Sequence, residues 1–156
     1  MGRKYLLAVL LMLPVIGCEQ GVAPAADFNS PEGAVVVFQN ACRAGDFDSA
    51  MGCMDFNSAA GAVVDDYNSS NQGRFYPSSV SSFVAQKMEE SFRREVSNRH
   101  APAMSGSTSS YPEKESRADG TVVVTELRSH ANGGTSVHHY QTCRTYSGWR
   151  IAAILD

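Results

Sequence analysis

No stretch of this sequence is apolar for long. The longest such run, residues 6–16, is broken by Pro14 and falls short of the roughly 20 residues that a spanning helix needs. Basic residues are too few and too scattered to track phosphates. With 13 Lys and Arg against 16 Asp and Glu, the formal charge is −3, and nucleic acid is not expected as a partner. The four cysteines contain no C-x-x-C pair, which removes the usual zinc and dithiol redox motifs. No serine sits between nucleophile-elbow glycines, so Ser78 to Ser82 and Ser105 to Ser110 read as turn and cap material. The Asp65-Asp66 pair lacks the alternation and sharp glycine turn of a calcium loop. No internal repeat is present.

What is present at the start is an address. Arg3 and Lys4 precede the apolar run, which closes on Val15-Ile16-Gly17-Cys18, the layout of an export signal. The last four residues resemble the lipobox of bacterial lipoproteins. That resemblance implies cleavage before Cys18, a diacylglyceryl group on its sulfur and an acylated (for example palmitoylated) amino terminus. Each buried acyl methylene contributes about 0.8 kcal/mol, and two or more chains give stable anchoring where one does not. The expected division is a signal peptide over 1–17, a lipid-anchored flexible tether over 18–29 and one α+β domain over 30–156. Glu19 after the cysteine favours the outer membrane, facing the periplasm. Loss of Arg3 and Lys4 with the leader makes the mature chain more acidic still.

In an exported, oxidising setting the remaining cysteines bear on fold. Cys42 and Cys53 flank a short turn and are the candidate disulfide, Cys53 with Cys143 is the rival pairing, and a buried unbridged Cys42 is the alternative to both.

Ser30-Pro31-Glu32 supplies a cap, a first-turn proline and a carboxylate suited to the helix dipole. Ala34, Val37, Phe38, Ala41 and Cys42 then share one face, and Gly45 ends the helix. Asp46 or Asp48 opens a short second helix carrying Phe47, Ala50, Met51 and Met54. Residues 55–77 give little signal beyond a turn over 59–64 and a loop over 68–73. Ser78 or Ser79 starts a third helix with Val80, Phe83, Val84, Met88, Phe92 and Val96 on its apolar side, and Glu89–Arg93 and Glu90–Arg94 as wet-side pairs. Residues 101–110 read as a loop. Strands over 113–117, 121–129, 135–146 and 149–155 follow, separated by glycine turns. On the last of these, Trp149, Ile151, Ala153 and Leu155 are expected to share a face.

Helices first and an antiparallel sheet last is an α+β layout, with N-terminal helices packed on a C-terminal curved four-stranded sheet. Ser30-Pro31-Glu32-Gly33-Ala34, Arg43-Ala44-Gly45-Asp46-Phe47 and Tyr146-Ser147-Gly148-Trp149-Arg150-Ile151 resemble the nuclear transport factor two-like, or cystatin-like, cone proteins. The resemblance implies a sheet wrapped around the first helix, in a family that includes isomerases and dehydratases as well as binding and dimerisation modules.

Catalytic residues do not assemble from the sequence. Glu126 and Tyr140 are an available carboxylate and donor, but Glu126 is expected at the surface, paired with Arg128 or Arg144. His138 and His139 are neighbours on a strand and point to opposite faces. His130 is the one histidine able to approach either across the hairpin, and solvated or cross-strand-paired imidazoles are expected rather than a metal. No cofactor is expected. The expected role is a lipid-anchored envelope module that binds a small apolar ligand or an envelope partner. The alternatives are a cone-fold isomerase or dehydratase working by proton transfer, and a structural subunit forming a homodimer.

Overall fold

The Ser30 side chain accepts the Gly33 N–H at 2.9 Å, and Pro31 occupies the first turn, so α1 spans Pro31–Ala44 where the cap and the proline place it. Gly45, at φ 70°, ends it. The Asp46 N–H then returns to the Ala41 carbonyl at 2.9 Å, satisfying a carbonyl the helix leaves open. Asp46 caps α2, Phe47–Gly52, through the Ser49 N–H. The structure, a computed structural model, describes residues 24–70, 76–77, 79–100 and 106–155. The expected signal peptide and lipidation site, Cys18, lie outside the described residues.

The low-signal stretch after Cys53 holds a full helix, α3, Phe56–Ser70, in place of the single turn expected. Its start is capped by Asp55, which accepts the Ser58 N–H and hydroxyl at 3.1 and 2.7 Å. Serines, asparagine and Gly61 give it weak intrinsic propensity, and it forms against α4, Ser79–Glu95. A π-helical turn, Val96–His100, continues α4. Of the apolar side expected for α4, Phe92 and Met88 face the body. Phe83 does not: it is 62% exposed, with the Lys87 ammonium 5.8 Å from its ring. Glu89 reaches Arg93 at 3.8 Å, and Glu90 takes Lys87 at 2.7 Å. Among the described residues no helix is long and apolar enough to cross a membrane.

The chain then forms β1 (Thr108–Ser116), β2 (Val122–Ser129), β3 (Thr135–Thr145) and β4 (Gly148–Leu155), one antiparallel sheet in the order β1-β2-β3-β4. The protein is therefore α+β, helices first, as the layout predicts. Two bulges interrupt the strand register. In β1 the pairing jumps from Ser110 opposite Leu127 to Glu113 opposite Thr125, so Tyr111 and Pro112 together oppose Glu126. Proline is tolerated at such an edge-strand bulge, and the strand begins earlier than its presence suggests. In β4, Ile151 opposes Thr142 and Ala153 opposes Gln141, leaving Ala152 as the extra residue. The inner face of β4 is consequently Trp149, Ile151 and Ile154, with Ile154 opposite Tyr140, in place of Ala153 and Leu155.

The core lies between α1 and the inner sheet face. Val35, Phe38, Cys42, Val124, Tyr140 and Ile151 are all within 1% of complete burial, each large apolar side chain contributing about 1.5–3 kcal/mol. Phe28, near the end of the expected tether, joins this body. Its carbonyl accepts the Trp149 N–H at 2.8 Å, and the Arg150 guanidinium stacks 3.8 Å from its ring. Gly148 is required there: at φ 109°, a Cβ would also sit 2.5 Å from the Phe28 carbonyl oxygen.

Candidate functional site

Two features of this frame can carry function, a polar cluster under α1 and an apolar groove beside β4. The cluster follows from strand alternation, which sets Val124, Glu126 and Arg128 of β2 and Ser136, His138, Tyr140 and Thr142 of β3 on the helix side. Glu126 is fully buried, where a surface residue was expected. Its partner is Arg128, two residues on and therefore on the same face. Arg128 donates from Nε to Oε1 at 3.0 Å and from Nη2 to Oε2 at 2.7 Å. The Tyr140 hydroxyl donates to Oε2 at 2.9 Å and Ser109 to Oε1 at 2.5 Å. Arg43, in the last turn of α1, donates to Ser109 at 3.1 Å, tying the helix end to the cluster.

These donors decide the carboxylate's chemistry. Burial by itself raises a carboxyl pKa, but the guanidinium, the serine and the tyrosine outweigh it, and Glu126 is held below its ordinary range. Burial and then the Glu126 charge keep the Tyr140 phenol protonated, well above its usual value. A carboxylate with four donors and a depressed pKa accepts hydrogen bonds and does not abstract protons. Nor is there room between acid and phenol for a substrate, since the two bond directly. Phe38 fills the space beneath α1, its ring 6.2 Å from that of Tyr140.

The bulge at Tyr111 turns that phenol onto α1, where it donates to Gln39 Oε1 at 2.5 Å. Burial and the neighbouring Glu126 charge push it up to about 12. Gln39 is itself fully buried. Its Nε2 has no hydrogen-bond partner among the described residues, the one open valence of the cluster.

The groove has a volume of about 320 Å³, inside the usual range of ligand sites of roughly 300–1,000 Å³. Met54, Phe56, Met88, Phe92 and Ile154 supply its apolar walls, with Ser91 and Glu95 at its polar side. Each wall comes from a different rule. Met54 is held by its bridge to Ile151, Phe56 opens α3 beside the Asp55 cap, and Met88 and Phe92 lie one turn apart on α4. The β4 bulge turns Ile154 inward. Thioether chains adapt to varied apolar shapes. The sequence displays Met54, Met88 and Phe92 as core residues of helices. The groove is not legible in the sequence because residues 56–70 carry too little periodic signal to show α3, although Asp55 caps its start through Ser58.

Cys42 and Cys53, the candidate disulfide, both lie in the core as thiols, the alternative that leaves Cys42 buried and unbridged, and Cys143 is a thiol as well. Burial pushes Cys42 up to about 12 and Cys53 up to about 11. Thiol–disulfide exchange needs the thiolate, so these two are inert once the domain has folded. Cys143 contacts Asp55 Oδ2 at 3.6 Å.

The three histidines of the sheet region divide between its two faces. His139 pairs across the outer face with Thr125 at 3.2 Å. His130 and His138 meet on the inner side, each with Nε2 at 2.9 Å from the Ser136 hydroxyl. On the outer face Leu127 and Val137 stand opposite each other, 37% and 54% exposed. Comparison with known proteins adds no name to this geometry, since no family model, no curated protein and no solved structure matches the chain.

Proposed function

We propose that this chain is a lipid-anchored binding module of a bacterial cell envelope, without catalytic chemistry at Glu126, whose groove between α4 and β4 takes a small apolar ligand. The groove itself carries the reading: two methionines, two phenylalanines and an isoleucine converge on a cavity of ligand size. The anchoring part rests on Val15-Ile16-Gly17-Cys18 and the charged, apolar segment before it. Packing of α1 on an antiparallel sheet supports kinship with the cone-fold proteins. A proton-transfer enzyme of that fold is the weaker reading, because the only buried acid among the described residues, Glu126, is held ionised and enclosed by donors.

The ligand reading is tested by titrating a medium-chain alcohol into the protein and following the methionine methyl resonances by NMR. Saturable shifts at Met54 and Met88, abolished by Met88→Glu, are expected. Shifts that stay linear in ligand, or that survive the substitution, defeat the assignment. Anchoring is tested separately with Cys18→Ser. Expected are loss of acyl mass from the extracted protein, an unprocessed leader and release from washed membranes. Unchanged retention would remove the anchor from the proposal and leave the groove untouched.

A further inference from the structure

The meeting of His130 and His138 is built rather than incidental. Ser136 and His138 are two apart on β3 and so share a face. His130 lies just beyond β2, and the hairpin returns it: its N–H bonds the Gly134 carbonyl at 2.8 Å, and its own carbonyl accepts the Gly133 N–H at 2.9 Å. Asn132 Oδ1 fixes the same turn through the Gly134 N–H at 3.0 Å. Both imidazole Nε2 atoms are aimed at one hydroxyl oxygen, and both contacts are only partly buried.

A serine hydroxyl has one proton to give. If it donates to one Nε2, the other Nε2 must be an N–H donor, so the two rings share the oxygen in unlike states. A metal ion accepts lone pairs from both nitrogens at once, at about 2.0–2.1 Å, a contraction that side-chain rotations on a fixed hairpin supply. Charge does not forbid it. Arg128 is the register neighbour of Ser136, but its guanidinium is neutralised by the bidentate contact with Glu126.

We propose that His130 and His138, with Ser136 between them, form an open site for a divalent transition metal that favours imidazole, Cu(II) ahead of Zn(II). Water and the serine oxygen complete the coordination. Among the described residues no three His, Cys, Asp or Glu side chains converge on a metal, so the site is one of two imidazoles and of modest affinity. The sequence expectation of no metal rested on His138 and His139 facing apart and on the three or four ligands a closed site needs. The two do face apart, and it is His130 that meets His138 across the hairpin.

The test is Cu(II) titration of the full chain in detergent, in a Cys143→Ser background so that the half-exposed thiol neither reduces nor binds the ion. Binding is followed by calorimetry and electron paramagnetic resonance. One equivalent with coupling to two nitrogens is expected. His130→Ala and His138→Ala should each weaken it by at least about tenfold, as loss of a ligand costs no less than loss of its supporting contact. His139→Ala, on the opposite face, should leave it unchanged. Unaltered affinity in both His130→Ala and His138→Ala, a spectrum without nitrogen coupling, or an equal loss in His139→Ala overturns the site and leaves a serine-bridged histidine pair. Half-burial of both rings keeps these variants folded, which their thermal melts verify.

Discussion

Arg128→Leu should lower the unfolding free energy by about 3–5 kcal/mol, because it leaves the Glu126 carboxylate buried and without its countercharge. Both partners of this pair are within 2% of complete burial, so solvent cannot take over the lost contacts. Adding Glu126→Leu to the same chain should recover much of the loss, since an apolar pair avoids desolvating charge. Recovery will be incomplete, because Ser109 and the Tyr140 hydroxyl then lack their acceptor. Urea denaturation at neutral pH reads both effects. A single-variant loss below about 1 kcal/mol, or a double variant worse than the single, would mean that water or a rearranged side chain already shields Glu126.

The same pair sets an acid limit. The folded Glu126 pKa lies below its ordinary value of 4.5, so the folded state binds the proton more weakly than the unfolded chain. Its contribution is fully present above that ordinary value and is lost as pH falls through the lower folded one. The steep part of the acid denaturation curve should therefore move when Glu126 is replaced together with Arg128.

The fold was legible wherever a local rule decides structure alone. Ser30, Pro31 and Gly45 bracket α1 in the sequence as they do in space, and the glycine turns delimit the last three strands. Legibility failed where a contact between distant residues decides. Helix α3 is poor in propensity and exists because α4 lies against it. The β4 face departs from strict alternation because a bulge reverses it, and nothing in Arg150-Ile151-Ala152-Ala153 signals one. Glu126 looked like a surface residue because strand alternation with charge usually means a wet face. Here Glu126 and Arg128, two apart, turn the same way and neutralise each other beneath α1. Of the candidate site, Glu126, Tyr140 and His130 are visible in the sequence as chemistry, whereas the partners Ser109 and Ser136 become visible only with the register.

Phe38 and Phe92 should separate the stability of the body from the integrity of the groove. Phe38→Ala removes a fully buried ring packed on Tyr140 and Phe92, and a loss of about 3–5 kcal/mol is expected. Phe92 is half-buried and should lose about half as much. Its position matters more than its area, since its ring lies 6.1 Å from Phe38 and 5.8 Å from Phe56. It thus joins α4 to both α1 and α3. Other ties of α4 among the described residues include Met88 in the groove wall, Ala85, Val96 just past its end, and the exposed ion pair from Arg93 to Asp48, a kind of contact that typically contributes under about 1 kcal/mol. In Phe92→Ala, hydrogen exchange over Ser79–Glu95 should accelerate well ahead of the sheet, and ligand uptake at the groove should fail with it. In Phe38→Ala, exchange should rise across α1 and the sheet together. If α4 keeps its protection without Phe92, the groove does not depend on that ring, and a ligand bound there would have to be held by walls that move independently of the core.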